Sequence, residues 1–461
     1  MNNYLAAIDF GSTKIVTIVG EKTDSGVRIV FYRDAPLPAG ISIENGEIIN
    51  DMTVIETLRP TIEAAEREIG EDIDEAIVSI SGKLIESKSI TNTFCRANPQ
   101  EHISEEDLKI ISNKVLSAEN DADNMVYDII PQEYNVDDHI GFLQIVGMKG
   151  TSVETLFKLF KGKKSLITTR EAVLNNFGIK IKGAVLSPIA SARATLNDLE
   201  MENGVALVDI GGGSTDIAII RENTVREVAI IPFGGESITT DIKQVAAITY
   251  NWAELVKIRH GFCVEEDTPE NKKLILKSDI GDVEGEVEVR TLSQIIEARM
   301  SEIFEAVRYV IQQSGYSNKI PSGVVLTGGG CYMESIIDLA KVILQCKVRL
   351  AAPRASITSD SDDNSFDAYS STAVGLILEG FDRKLSHIEY SEMYETAPAK
   401  AESTRQFNNN LFGEEEDIKE KEYAKTKDAG RTKVRKEPAV KEKRTFTGIF
   451  GNIFSEDNDK A

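Results

Sequence analysis

The 461-residue sequence predicts a duplicated α/β fold, two related lobes about a cleft. The first observation behind this is a repeat. Tyr4 to Gly20, YLAAIDFGSTKIVTIVG, and Val205 to Ile220, VALVDIGGGSTDIAII, share one order of parts: an apolar strand, an aspartate, a residue, a glycine, hydroxyl residues and a second apolar strand. Asp9-Phe10-Gly11 in the first copy corresponds to Asp209-Ile210-Gly211 in the second. The second observation is Val324 to Leu344, VVLTGGGCYMESIIDLAKVIL, a strand ending in Thr327 and three glycines that run into an amphipathic helix.

Glycines inside a strand pair cost conformational entropy unless a turn or a close approach requires them. Successive N–H groups at Gly211, Gly212, Gly213, Ser214 and Thr215, and at Gly11, Ser12 and Thr13, can turn toward one anion. Either motif alone is equally an ordinary Gly-rich hairpin. Asp9, Asp209 and Asp216 flank the cradles, where carboxylates repel a phosphate unless Mg²⁺ stands between them, held through water. Lys14 adds a point charge able to reach a β- or γ-phosphate. At Gly328, Gly329 and Gly330, a strand, a glycine turn and a helix N-terminus form a nucleotide-approach element with room for a flat ring. Together the three pieces predict ATP with Mg²⁺ as cofactors.

That combination, in that order, resembles the actin, sugar-kinase and heat-shock-chaperone ATPase superfamily, and within it the bacterial cell-division FtsA family. The resemblance runs through Asp9-Phe10-Gly11-Ser12-Thr13-Lys14-Ile15, Ile130-Pro131-Gln132-Glu133-Tyr134, Leu186-Ser187-Pro188-Ile189-Ala190-Ser191-Ala192 and Val208-Asp209-Ile210-Gly211-Gly212-Gly213. It continues through Ile231-Pro232-Phe233-Gly234-Gly235, Thr240-Asp241-Ile242, Lys257-Ile258-Arg259-His260-Gly261, Glu297-Ala298-Arg299 and Leu326-Thr327-Gly328-Gly329. Ser214 stands where that family usually has threonine, which keeps the hydroxyl.

The resemblance implies an actin-like ATPase fold, two duplicated lobes around a nucleotide cleft, each with an inserted subdomain. It assigns residues 1–83 to the first lobe (IA), 84–164 to the inserted subdomain IC, and 165–203 to the first lobe again. Residues 204–242 begin the second lobe (IIA), 243–302 form its inserted subdomain IIB, 303–351 complete it, and 352–383 return to the first lobe. It adds Gly235, Glu236, Glu254, Lys257 and Met333 to the nucleotide-contacting residues, and Arg299 to a surface for the tubulin-like division protein FtsZ. Glu236 is also a plain first-turn acid, and Glu254 and Lys257 also read as the solvated face of a helix. The implied function is an ATP-binding adaptor that self-assembles into filaments and anchors the FtsZ ring to the cytoplasmic face of the cell membrane, at the division site. Later division proteins would join it there. Its ATP hydrolysis would be slow at most, and no residue stands out to position the water.

Taken in order, Asn50 to Gly70 has helical spacing at Ile55, Leu58, Ile62, Ala65 and Ile69, and Glu75 to Ser81 reads as a buried strand. The 84–164 insertion holds strand-like pieces (Ser87–Phe94, Glu133–Val136, Thr155–Lys161) and a helix, Ser104–Glu119, with a capping-box signature. Thr168 to Phe177 is a helix, Ile181–Leu186 a strand, and Pro188 to Leu199 a helix. Ala190, Ser191, Ala192 and Ala194 on that helix suit either a close hinge crossing or ordinary packing. Glu227–Pro232 is a strand, Trp252 to His260 a helix, Glu284–Arg290 an edge-type strand, and Ser293 to Ser314 a helix carrying Arg299. Ala368 to Gly380, again rich in small residues, resembles a second hinge helix.

Beyond Asp382 the composition changes. Residues 384–443 are polar and without period, and predict a disordered linker. From Arg431 to Thr445 seven Lys or Arg stand against Glu437 and Glu442. In 444–456, Phe446, Ile449, Phe450, Ile453 and Phe454 fall on one helical stripe, too short to span a bilayer but suited to lying in its surface. Docking of the same stripe on the protein's own core is the alternative.

A net charge of −23 argues against nucleic acid as a partner. Cys95, Cys263, Cys331 and Cys346 lack C-x-x-C spacing and read as reduced thiols, and the four histidines offer no zinc pair. The N-terminus has no signal-peptide pattern, and no apolar run reaches the ~20 residues of a membrane span. A sugar-type kinase needs an aspartate general base that no motif nominates. An MreB-like filament protein is disfavoured by the 84–164 insertion and the C-terminal position of the membrane signal. A chaperone ATPase would need a substrate domain after Gly380.

Overall fold

Two five-stranded patterns, built the same way, organise the chain in the computed structural model. It describes residues 4–24, 26–38, 42–269, 272–277, 283–354, 358–359 and 366–386. In the first lobe, β1 (Tyr4–Phe10), β2 (Lys14–Thr23) and β3 (Gly26–Pro36) form an antiparallel meander in which Asp9 faces Val16 across the pair. A two-residue hairpin, β4 (Ile43–Glu44) and β5 (Glu47–Ile48), precedes α1 (Asp51–Ile69). Asn50 caps α1 by accepting from the Thr53 N–H, and Gly70 stops it in the left-handed conformation, φ 74°. Ile55, Leu58, Ile62 and Ala65 are buried, as their spacing predicts, and Ile69 half so. The strand β6 (Glu75–Ile80) then lies parallel to β1.

The insertion forms its own antiparallel sheet from β7 (Glu86–Cys95), β8 (Asn124–Val136), β9 (His139–Phe142) and β10 (Ser152–Lys163), ordered β7-β10-β8-β9, with α2 (Glu105–Glu119) beside it. The Ser104–Asp107 capping box is formed in both directions, with the Asp107 carboxylate accepting from the Ser104 N–H at 2.9 Å. The strand around Glu133 is far longer than its sequence suggests, because 125–130 is buried on both faces and shows no alternation. The chain re-enters the first lobe through α3 (Ser165–Asn175) and β11 (Lys180–Leu186), which pairs in parallel with β6.

The expected helix from Pro188 to Leu199 is two helices: α4 (Ser187–Thr195) and α5 (Asp198–Asn203). Leu196 is extended, and Asn197 caps α5 in a capping box with Glu200, a start signal that outcompetes continuation. In the second lobe, β12 (Val205–Ile210), β13 (Thr215–Arg221) and β14 (Thr224–Ile231) repeat the antiparallel meander, with Asp209 opposite Asp216. There follow α6 (Gly235–Ala246), α7 (Tyr250–His260), β15 (Lys273–Lys277), β16 (Val283–Glu288) and α8 (Val289–Gln313). The predicted strand through Arg290 ends earlier, because Val289 is drawn into the buried face of α8. After α8 come β17 (Val324–Thr327), α9 (Ile336–Leu344), β18 (Val348–Leu350), β19 (Thr358–Ser359) and α10 (Ser371–Phe381).

Sheet order is β11-β6-β1-β2-β3-β19 in the first lobe and β14-β13-β12-β17-β18 in the second. In each, a meander is extended by two parallel strands beside its first strand, so the duplication seen in sequence is a duplication of topology. This is the two-lobed actin-like architecture. Between the lobes, α4 and α10 cross so closely that a Cβ on Gly375 would lie 1.8 Å from the Ala190 carbonyl oxygen. The small residues on these helices therefore serve a close crossing. The packed body also extends past residue 384: Leu385 is fully buried, and the Glu379 carboxylate accepts from the Leu385 and Ser386 N–H groups. The rest of the linker, the basic segment and Phe446–Phe454 lie outside the described residues.

Candidate functional site

The two Asp-x-Gly hairpins meet face to face. The Gly213 N–H, in the β12–β13 turn, donates to Ser12 Oγ in the β1–β2 turn at 2.7 Å. A Cβ on Gly212 would lie 2.3 Å from Thr13 Cγ2, and one on Gly213 would lie 2.9 Å from Ser12 Oγ. These glycines are thus required where the lobes come closest. Around them is a cavity of ≈ 160 Å³, lined by Asp9, Gly11, Ser12, Thr13, Lys14, Asp209, the 211–213 glycines, Ser214, Asp216, Gly328 and Gly329.

Three carboxylates line it: Asp216 is buried, and Asp9 and Asp209 are half-buried. Asp9 is held above its ordinary pKa by burial, against the pull of the Ser79 hydroxyl, Lys14 and Arg170. Burial pushes Asp209 up to about 6, although the Ser191 hydroxyl donates to it at 2.6 Å. Burial and the neighbouring Asp209 push Asp216 up to about 7. Ser81 and Ser214 donate to Asp216 at 2.7 and 2.8 Å. Lys14 lies 3.5 Å from Asp34 and 3.9 Å over the Tyr369 ring, and burial lowers its pKa. Clustered anionic groups kept from water make a site that gains by taking up a cation.

A pH dependence follows. Asp9, Asp209 and Asp216 all have folded pKa values above the unfolded carboxylate value, so proton binding favours the fold. That stability is present below about pH 4 and lost as pH rises through 6–7. From the values for Asp209 and Asp216, the loss between about pH 5.5 and 8 is roughly 3 kcal/mol. Buried Glu379, pushed up to about 7, adds in the same direction. Calorimetric melting in EDTA is expected to show Tm falling across this range, with Asp216→Asn flattening the slope. A Tm that rises from pH 5.5 to 8 contradicts the electrostatic picture.

Other residues singled out in the sequence stand behind the cavity. The N–H groups of Gly235 and Glu236 donate to the carbonyls of Gly211 and Gly212 at 2.9 Å, so the start of α6 braces the glycine turn. Lys257 is 8% exposed and donates to Gly235 O, Thr239 Oγ1 and Glu254 Oε2 at 3.0, 2.8 and 2.8 Å. The solvated-face alternative for this pair is thereby corrected: Lys257 is enclosed because its three partners replace water. Glu236 faces Ser12 and Gly213 across the adjoining cleft, beside Asn45 and Arg299, and burial raises its pKa. Thr215 is turned away, its hydroxyl donating to Phe233 O at 2.8 Å. Gly328, at φ 86°, lies where a Cβ would meet Asp209 Oδ1 at 2.2 Å, while Gly330 packs on Ile210. The helix expected directly after these glycines begins only at Ile336. A short 3₁₀ turn, Gly329–Tyr332, and the left-handed Ser335 intervene, so no α-helix N-terminus points into the turn, and half-buried Met333 lies outside the lining.

Arg299 on α8 is engaged within the chain, donating to Asp241 at 2.6 and 3.1 Å and to Glu302 at 2.7 Å.

Several lining residues were not foreseen: Asn45, Ser81, Ser187, Tyr369 and Thr372. Ser191 and Thr372 belong to the stretches read as helix-crossing residues, yet both hydroxyls donate to Asp209 Oδ2, at 2.6 and 3.2 Å. Both α4 and α10 are thereby tied to an aspartate of the second lobe. Serine and threonine among alanines were the only signal available.

Residues 206–375 match the family model described as "Cell division protein FtsA". Over 382 residues the chain is 29% identical to the cell division protein FtsA of Pseudomonas aeruginosa, covering 82% of this chain and 90% of that protein. Over 357 residues it is 29% identical to the cell division protein FtsA of Bacillus subtilis, covering 76% and 79% respectively. Among solved structures it is similar in fold to a chain of the "PilM-PilN type IV pilus biogenesis complex", with TM-score 0.60, 13% identity, and coverage of 82% of this chain and 98% of that one.

Proposed function

We propose that this chain is a cell division protein of the FtsA type that binds Mg-ATP between its hairpins and polymerises as a membrane adaptor for FtsZ, a reading supported by the family-model match over residues 206–375 and by 29% identity to the cell division proteins FtsA of Pseudomonas aeruginosa and Bacillus subtilis. The observation that carries the nucleotide reading is the facing pair of hairpins around Asp9, Asp209 and Asp216. The residues suit the ligand on two counts. The N–H-rich turns at 11–13 and 211–214 meet where a Cβ at 212 or 213 would fill the approach. The carboxylates, destabilised by burial, gain from a divalent cation.

The 11–13 and 211–214 backbones would hold phosphate oxygens, with Lys14 leaving Asp34 to reach them. Asp9, Asp209 and Asp216 would hold magnesium. The contact would run through water, as the sequence reading has it; among the described residues no group of three acidic, histidine or cysteine side chains is arranged to hold a metal ion directly. The ion supplies charge neutralisation for the phosphates. Ser191 and Thr372 fix Asp209, and the Lys257–Glu254–Thr239 network fixes the turn from behind. Asp209→Ala is expected to weaken Mg-ATP binding about tenfold or more and metal-free ATP far less, by titration in magnesium and in EDTA. Equal losses in both buffers would remove Asp209 from the metal.

For the cellular role we read subdomain 243–302 as the FtsZ-facing part and 446–454 as the membrane contact, with the basic residues of 431–444 adding attraction to anionic lipid. Since Arg299 is committed to Asp241, a direct FtsZ contact would compete with that pair. Among the described residues no helix is long and apolar enough to cross a membrane. A single copy of so short a segment, with Gly448 and Gly451 in it, would hold weakly, and a filament would multiply it through effective concentration. Co-sedimentation with anionic vesicles is expected to fall about tenfold or more for Phe450→Glu. Binding of that variant at the unsubstituted level refutes the membrane assignment.

A further inference from the structure

The Ile130-Pro131-Gln132-Glu133-Tyr134 motif takes no part in the site described above. On β8, Glu133 pairs with Leu156 and Pro131 with Phe157, so Gln132 has no partner on β10 and forms a bulge. Pro131 lacks a ladder N–H, and such a bulge re-aims the residue beside it. Across the interface the same device recurs. On β14, Glu227 pairs with Ile219 and Val225 with Ile220, leaving Arg226 bulged on the edge strand of the second lobe's sheet. The two bulges face one another. Gln132 Nε2 donates to Val225 O at 2.9 Å, and Arg226 Nη1 donates to Gln132 O and Oε1 at 3.1 and 3.2 Å.

Arg226 is 7% exposed, and Glu222 holds its other arm at 2.6 Å. Beside it Lys158 of β10 and Glu227 of β14 pair at 2.7 Å, with side chains only 14% and 15% exposed. A bulge strands its own backbone groups, and an enclosed guanidinium needs acceptors, so each bulge satisfies the other. The insertion also reaches the first lobe's site. Tyr127 occupies a second bulge of β8, and its ring lies within electrostatic reach of Arg170, whose guanidinium stands 5.3 Å from the Phe10 ring next to Asp9.

We propose that the Gln132 and Arg226 bulges dock the inserted subdomain of the first lobe onto the second lobe, so that lobe movement about α4 and α10 moves the insertion too. The chain through the insertion is covalently part of the first lobe, and these bonds make it equally part of the second. Any change in the angle between lobes then strains or shifts β8. The coupling of this movement to nucleotide rests on the Mg-ATP reading above, whereas the docking does not.

Hydrogen–deuterium exchange of the full chain, with and without Mg-ATP, tests the coupling. Nucleotide is expected to slow amides of the 11–13 and 211–214 turns and to change exchange in β8, β10 and β14 together, by about fivefold or more. In the double variant Gln132→Ala, Lys158→Glu the turns respond as before and the insertion no longer does. An insertion response that persists in that variant, or one absent from the unsubstituted chain whose turns do respond, overturns the coupling. Turns that ignore Mg-ATP count against the nucleotide reading instead. The docking is then judged by thermal unfolding of Gln132→Ala, Arg226→Ala and their combination. Losses in Tm that fall short of adding support it, and strictly additive losses overturn it.

Discussion

Gly212→Val is expected to lower ATP affinity by about 100-fold or more while leaving the fold intact. Its Cβ would point not into its own lobe but at Thr13 and Ser12 of the other, 2.3 and 3.1 Å away. A branched side chain there stands between the two phosphate turns. The atoms it meets are ends of side chains, so the lobes give way by opening rather than by unfolding. Displacement of a fluorescent ATP analogue, with circular dichroism as the folding control, reads both halves. Affinity within about threefold of the unsubstituted chain would mean that phosphate does not pass between these turns.

Gly375→Ala is expected to destabilise the protein by on the order of 3 kcal/mol, against the sign of helix propensity. In an exposed helix the same change stabilises by up to about 1 kcal/mol. Here the added methyl would overlap the Ala190 carbonyl, with the oxygen 1.8 Å and the carbon 2.3 Å away. Both atoms are backbone, so relief requires α10 to move off α4. That movement also disturbs Ser191 and Thr372, which together hold Asp209. Urea unfolding should show a lower midpoint, and nucleotide affinity should fall with it. An unchanged or higher midpoint would contradict the close crossing.

What the sequence revealed follows from how local each signal is. Both hairpins, α1 with its apolar spacing up to Gly70, and the Ser104 capping box rest on contacts within a few residues, and these were legible. The break between α4 and α5 was written in Asn197 and Glu200, but the Ala-rich run before it suggested a longer helix. Burial of Lys257 was not legible, because the partners that permit it come from α6 as well as its own helix. Nor were the facing bulges at Gln132 and Arg226, since a bulge exists only relative to its neighbouring strand. The hydroxyls on Asp209 arrive from two helices 181 residues apart in the chain. Sequence offered their residue type but not their meeting. Apart from the local α4–α5 break, what failed to show was a long-range pairing of groups, while apolar periodicity and turn chemistry carried the fold.

Isothermal titration of the full chain with ATP, in magnesium and again in EDTA, tests most directly whether the facing hairpins and Asp9, Asp209 and Asp216 form one Mg-nucleotide site. Saturable binding at a single site is expected in magnesium, with affinity reduced by about tenfold or more when the metal is removed. No heat up to millimolar ATP, or the same affinity with and without magnesium, would contradict it.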